Sequence, residues 1–196
     1  MTLKRLRQIA APPRSPIAPG TQQQWGKVEE AVGLRFPEDY KQLIGVYGHG
    51  CFADFVWLFN PFFFGYAMGA RDYSTNVKGR LKALEELRLK WPDDTAPFPS
   101  WPTPGGVYPW GTTDNGGTLC WLTVGSPEEW TVVLLDDDLS ERYDQYPMTM
   151  TEFLVAWLSE EVVPRTFPDD IFPAELPLFR PENRGTEIVP MSASPL

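Results

Sequence analysis

The chain has 196 residues, a formal net charge of −9 and a hydrophobic fraction of 42%, with eight Trp and twelve Phe. That length fits one domain with tails, and no apolar run approaches the roughly 20 residues of a membrane-spanning helix. Two cysteines, Cys51 and Cys120, and one histidine, His49, exclude a disulfide framework and give no metal-ligand spacing, so no metal site or cofactor is expected.

Residues 1–20 are basic and rich in Pro and Ala. They lack the apolar stretch of a secretory signal and show no evident period, so a flexible basic arm and a cytoplasmic location are expected. Order is expected from Thr21. In TQQQWGKVEEAVG, Thr21 and Gln24 form a capping box, Trp25, Val28 and Val32 share a face, and Gly33 is a natural stop. FPEDYKQLIGVYGHG predicts a second helix. Pro37 suits its first position, and Glu38 and Asp39 complement its dipole. Tyr40, Leu43, Ile44 and Tyr47 fall on one face, and Gly48 and Gly50 end it.

FADFVWLF, residues 52–59, alternates like a strand. VKGRLKALEELRLK predicts a helix over 77–90 through Leu81, Leu84 and Leu87, and the Pro-rich WPDDTAPFPSWPTPGG follows as a connector. From Val107 the pattern is β: VYPW, TLCWLTV and WTVVLLD, then a short partner at 142–146. Asn115-Gly116 is a turn dipeptide, and GSPEE joins the second and third strands. A closing helix runs through MTMTEFLVAWLSEEV, with a capping box at Thr149 and Glu152. Beyond it, seven prolines in 33 residues predict an extended tail. The expected organisation is an arm over 1–20, an α+β domain over 21–162 and a Pro-rich tail over 163–196. The domain is a mostly antiparallel sheet with about four helices packed mainly on one side.

Charge is unevenly spread: residues 91–179 carry sixteen acidic against two basic side chains. Such a field repels nucleic acid and steers a basic protein partner, although solubilising acidic surfaces are common. His49 and Cys51 suggest a nucleophile pair, but no third group orients the imidazole. GTTDNGG, residues 111–117, lacks the Lys of a phosphate loop and leads into a strand. The run Asp136–Asp138 lacks calcium-loop spacing. No enzyme is expected. The candidate partner-contact residues lie on the hairpin loops: Asp114, Glu128, Glu129, Asp136, Asp137, Asp138, Glu141 and Asp144.

The run from Trp25 through VE, VG and FPEDYKQLIGVYGHG resembles the opening signature of the SUKH superfamily. PWGTTDNGGTLCWLT and TMTEFLVAWL are similar to its later segments, in the same order. Two positions depart from the pattern: Gly117, where the family often has Asp, and His49, within the usual Asn/Gly turn. The resemblance implies an α+β domain without catalytic residues. Many members are immunity proteins that block a cognate toxin, commonly a nuclease, within polymorphic toxin systems; others, including a yeast cell-wall regulator, are interaction modules. A toxin-neutralising protein acting by stoichiometric occlusion is therefore expected, with a protein partner and neither nucleic acid nor membrane. A regulatory scaffold is the alternative.

Overall fold

Local sequence signals set most element boundaries. The computed structural model describes residues 2–65, 73–169, 171–172, 177–183 and 185–187. Helix α1 spans Thr2–Ile9 and α2 spans Gln22–Val32. The Thr21 Oγ1 accepts the Gln24 N–H at 3.3 Å, and Gln24 Oε1 accepts the Thr21 N–H at 2.8 Å, which satisfies two of the helix's orphan donors. Gly33 ends it in the left-handed region. Helix α3 spans Glu38–Tyr47 with Pro37 at the cap and not at the first helical position, so it starts one residue later than expected. Its Asp39 carboxylate accepts the Thr151 N–H and hydroxyl, both at 3.1 Å. One acid therefore serves the N-terminal turns of two helices, because α5 spans Met150–Leu158. The second capping box, Thr149 with Glu152, is present as expected.

The stretch 52–59 is a hairpin rather than a single strand: β1, Gly50–Phe52, turns through Ala53 and Asp54 into β2, Val56–Leu58. Both turn residues have positive φ, 50° and 52°, the geometry whose twist matches paired strands. Only Asp54 of the two is a residue that favours such turns, so the composition signal is weak. A short β3, Phe63–Gly65, follows. Helix α4, Tyr73–Lys90, starts four residues before the expected boundary. The meander is β4 (Val107–Thr113), β5 (Thr118–Leu122), β6 (Thr131–Leu135) and β7 (Tyr143–Tyr146), with a 3-10 turn at Pro127–Glu129. The tail adds β8, Phe179–Pro181, and β9, Gly185–Glu187.

Seven strands form one antiparallel sheet in the order β7-β6-β5-β4-β2-β1-β8, and β9 pairs with β3 in a second sheet. Alternation along the strands divides the core in two. Tyr108, Trp110, Leu119, Trp121, Val132 and Leu134 face the larger cluster, which receives buried side chains from α1, α2, α3 and α5. Val107, Cys120, Val133 and Leu135 face a smaller one, closed by Leu84 of α4, Ala96 and Leu139. Cys120 and Trp121 thus point to opposite sides, as adjacent strand residues must.

The expectation of a flexible arm over 1–20 is corrected by α1. Leu6 and Ala10 are fully buried in the larger cluster, with Leu3 and Ile9 packed against it. The tail is likewise built into the fold: Phe167 and Phe179 are buried there, and β8 covers the β1 edge and becomes the terminal strand of the sheet.

Candidate protein-binding face

Seven of the eight acidic candidates divide between the two ends of the sheet, and Asp144 lies within β7. Val56 is registered with Thr113, and Thr118 with Leu135, so the turns at 53–55, 114–117 and 136–142 share one end. Asp114, Asp136, Asp137, Asp138 and Glu141 therefore lie together. Glu128 and Glu129 sit on the loop at the far end of β5 and β6, roughly 17 Å away for strands of five residues.

Turn chemistry fixes the first group. Gly116 has φ 101°, a conformation that a side chain resists; Asn115 takes an ordinary φ, so the turn uses one left-handed residue rather than two. The Thr113 hydroxyl donates to Asn115 Oδ1 at 2.5 Å. Arg80 reaches from α4 to this turn and donates to the Gly116 carbonyl at 3.0 Å, to Thr112 Oγ1 at 2.7 Å and to Thr118 Oγ1. It holds the turn that presents Asp114. Charged hydrogen bonds of this kind predict that Arg80→Ala lowers stability by about 2 kcal/mol. The same variant should speed amide exchange at Gly116–Thr118, as hydrogen-exchange mass spectrometry can show.

In the neighbouring loop, Asp136 Oδ1 accepts the Asp138 N–H at 3.4 Å, and Asp138 Oδ1 accepts the Ser140 N–H at 2.9 Å. These carboxylates build the turn, as Asp does locally. Burial first, then Asp138, raises the Asp136 carboxyl above its ordinary range, while hydrogen bonds with Asp136 and Ser140 lower Asp138. The three carboxylates of Asp136, Asp137 and Asp138 bring oxygens within 4.8 Å of one another. They suit a hard cation in kind, but two of them are already committed to the turn.

The remaining candidates differ. Glu129 accepts the Ser126 N–H and hydroxyl, both at 2.8 Å, which lowers its carboxyl. Glu128 pairs with Arg35 at 3.1 Å. Asp144 is 7% exposed, and its oxygens accept from Arg165 Nε at 2.9 Å and from the Thr166 N–H and hydroxyl. Its carboxylate pins the tail to β7 and is turned away from any partner. Asp114, Asp137 and Glu141 remain exposed, and among the described residues no Lys or Arg forms an ion pair with them.

His49 and Cys51, two residues apart at the start of β1, are both buried. His49 stacks on Phe63 with ring centroids 4.1 Å apart, and burial lowers its imidazole to about 4, against an opposing effect of Glu182. Burial raises the Cys51 thiol to about 12. The pair is thus a neutral imidazole and a protonated thiol, the opposite of an activated nucleophile.

A seven-stranded antiparallel sheet with helices packed against it defines an α+β protein. The family is explicit: residues 22–154 match the SUKH_6 model, described as SMI1-KNR4 cell-wall, and the chain belongs to that family. No curated protein and no solved structure matches it. No described helix is long and apolar enough to cross a membrane.

Proposed function

We propose that this protein is an immunity protein that binds a basic toxin, of the nuclease type, and blocks it by occupying its surface one to one. The supporting observation is the gathering of Asp114, Asp137 and Glu141, without cationic partners among the described residues, on turns at one end of a rigid sheet. A nuclease needs a basic surface to hold phosphates; an acidic protein face competes for that surface and gains association rate by steering. Asp136 and Asp138 add to the field while shaping the loop. Glu128 and Glu129, at the other end, belong to the same contact only if the partner spans the sheet.

The description of the matched family as SMI1-KNR4 cell-wall favours a second reading, a regulatory protein-interaction module that uses the same face on a cellular protein. Co-expression with a toxin encoded beside the gene separates the two: restored growth and a stable one-to-one complex support immunity. A toxin that kills regardless and forms no complex rejects it in favour of the module.

Within the first reading, the triple variant Asp114→Lys, Asp137→Lys, Glu141→Lys is expected to slow association with that toxin by a factor of about 10 or more at low salt and to flatten its salt dependence. Stopped-flow association rates measure this, and unchanged rates would remove the three residues from the interface.

A further inference from the structure

Of the eight tryptophans, seven are buried or half-buried, and Trp91 alone is exposed, at 45%. It stands immediately after α4, where its N–H donates to the Leu87 carbonyl at 2.7 Å. Its own carbonyl accepts the Thr95 hydroxyl at 2.7 Å and the Asp94 N–H at 3.2 Å. The turn it begins is joined to the acidic loop: Thr95 bridges to Ser140, and the Ala96 N–H donates to the Leu139 carbonyl at 3.3 Å. The Trp91 backbone is therefore held in a turn joined to the loop Asp136–Glu141, with exposed Asp93 and Asp94 in the same turn. Sequence reasoning missed these two acids because they fall in a Pro-rich connector.

The ring already takes a cation. Lys90 Nζ lies 3.9 Å from its centroid, so the indole face is used as a cation acceptor by the chain itself. Asp93 and Asp94 lie in the turn that Trp91 begins, and Asp136, Asp137, Asp138 and Glu141 lie on the loop to which that turn is bridged, against Arg88, Lys90 and Arg142. We propose that Trp91 is the anchor of a docking face for an arginine-rich protein surface, in which a partner guanidinium displaces Lys90 from the ring and the carboxylates engage its neighbours. Rigid Trp anchors inside a charged rim are what concentrates binding energy in an interface. The inference rests on the reading of the acidic end as a binding face, and it adds the apolar centre which that reading lacked.

Deca-arginine, titrated into the full chain at low salt, is the probe. The Trp91 indole N–H resonance, assigned by its loss in Trp91→Ala, is expected to shift on titration. Trp91→Ala should weaken binding by roughly three- to tenfold, with Trp91→Phe in between. Equal affinity for the wild type and Trp91→Ala overturns the anchor while leaving the acidic face intact. No binding to the wild type overturns the anchor and the acidic-face reading together. Trp91-dependent self-association without peptide, seen by sedimentation velocity, would assign the face to a second copy and overturn the proposal. An exposed side chain makes misfolding of these variants easy to exclude by circular dichroism.

Discussion

Leu6→Ala is expected to lower unfolding stability by about 2–5 kcal/mol, the range for truncating a fully buried Leu, although Leu6 lies outside the matched span 22–154. The N-terminal segment earns this weight through three backbone contacts as well as its apolar stripe. The Tyr47 hydroxyl donates to the Ala10 carbonyl at 2.7 Å, the His49 N–H to the Ile17 carbonyl at 2.7 Å, and Asn60 Nδ2 to the Ala18 carbonyl at 2.9 Å. Each removes the need for water at a buried polar atom. The Arg5–Glu161 pair that also joins α1 to the end of α5 is half exposed on both sides, and such pairs contribute little. Arg5→Ala should therefore change stability by less than about 0.5 kcal/mol. Urea denaturation of both variants decides the matter: a Leu6→Ala loss no larger than that of Arg5→Ala would make residues 2–18 a detachable arm.

Gly48 shows why the segment is docked where it is. Its φ of 71° lies in the region that favours glycine, and an added Cβ would collide with the backbone of Ile17. The turn that the sequence marks as a helix stop is also the floor on which residues 17 and 18 rest.

The parts of the fold that local chemistry dictates are readable from sequence. Thr21 with Gln24 and Thr149 with Glu152 cap helices by interactions three residues apart, and the apolar alternation of β4, β5 and β6 separates two faces within single strands. What escapes is whatever depends on partners distant in the chain. Helix α1 has no acidic residue in its first turn, and its stripe of Leu3, Leu6 and Ile9 is too short to stand out among basic residues; it is ordered by α3 and α5. β8 is three residues recognisable only once the β1 edge and the aromatic socket of Tyr47 and Phe52 around Phe179 exist. The acidic candidates suffer the same limit. Sequence finds carboxylates on loops, but Asp144 is occupied by Arg165 and Thr166, 21 and 22 residues on, and nothing local distinguishes it from Asp137.

Acidification should test the buried end of the sheet as strongly as any core substitution. An imidazole in an unfolded chain titrates near 6.5, whereas burial lowers that of His49 to about 4. Between these values the unfolded chain binds a proton that the folded chain refuses, so the folded state loses free energy as pH falls. The contribution is complete above the unfolded value and is withdrawn progressively from about pH 6.5 down to about pH 4, amounting to about 3 kcal/mol. The folded site is reluctant to accept the charge because the ring is buried, and among the described residues Nδ1 has no hydrogen-bond partner. Glu182, itself 3% exposed, is the nearby acid that acts in the other direction, and its ion pair with Arg180 at 3.6 Å ties it to β8. Protonation of His49 should accordingly loosen the β1–β8 end first. Urea unfolding at pH 7.0 and at pH 4.5 is expected to show the loss in the wild type and a flatter dependence in His49→Phe, in which the ring still stacks but cannot titrate. An equal slope in both proteins would remove His49 from the account, because the turn carboxylates of Glu129 and Asp138, whose values are lowered, withdraw stability only at still lower pH.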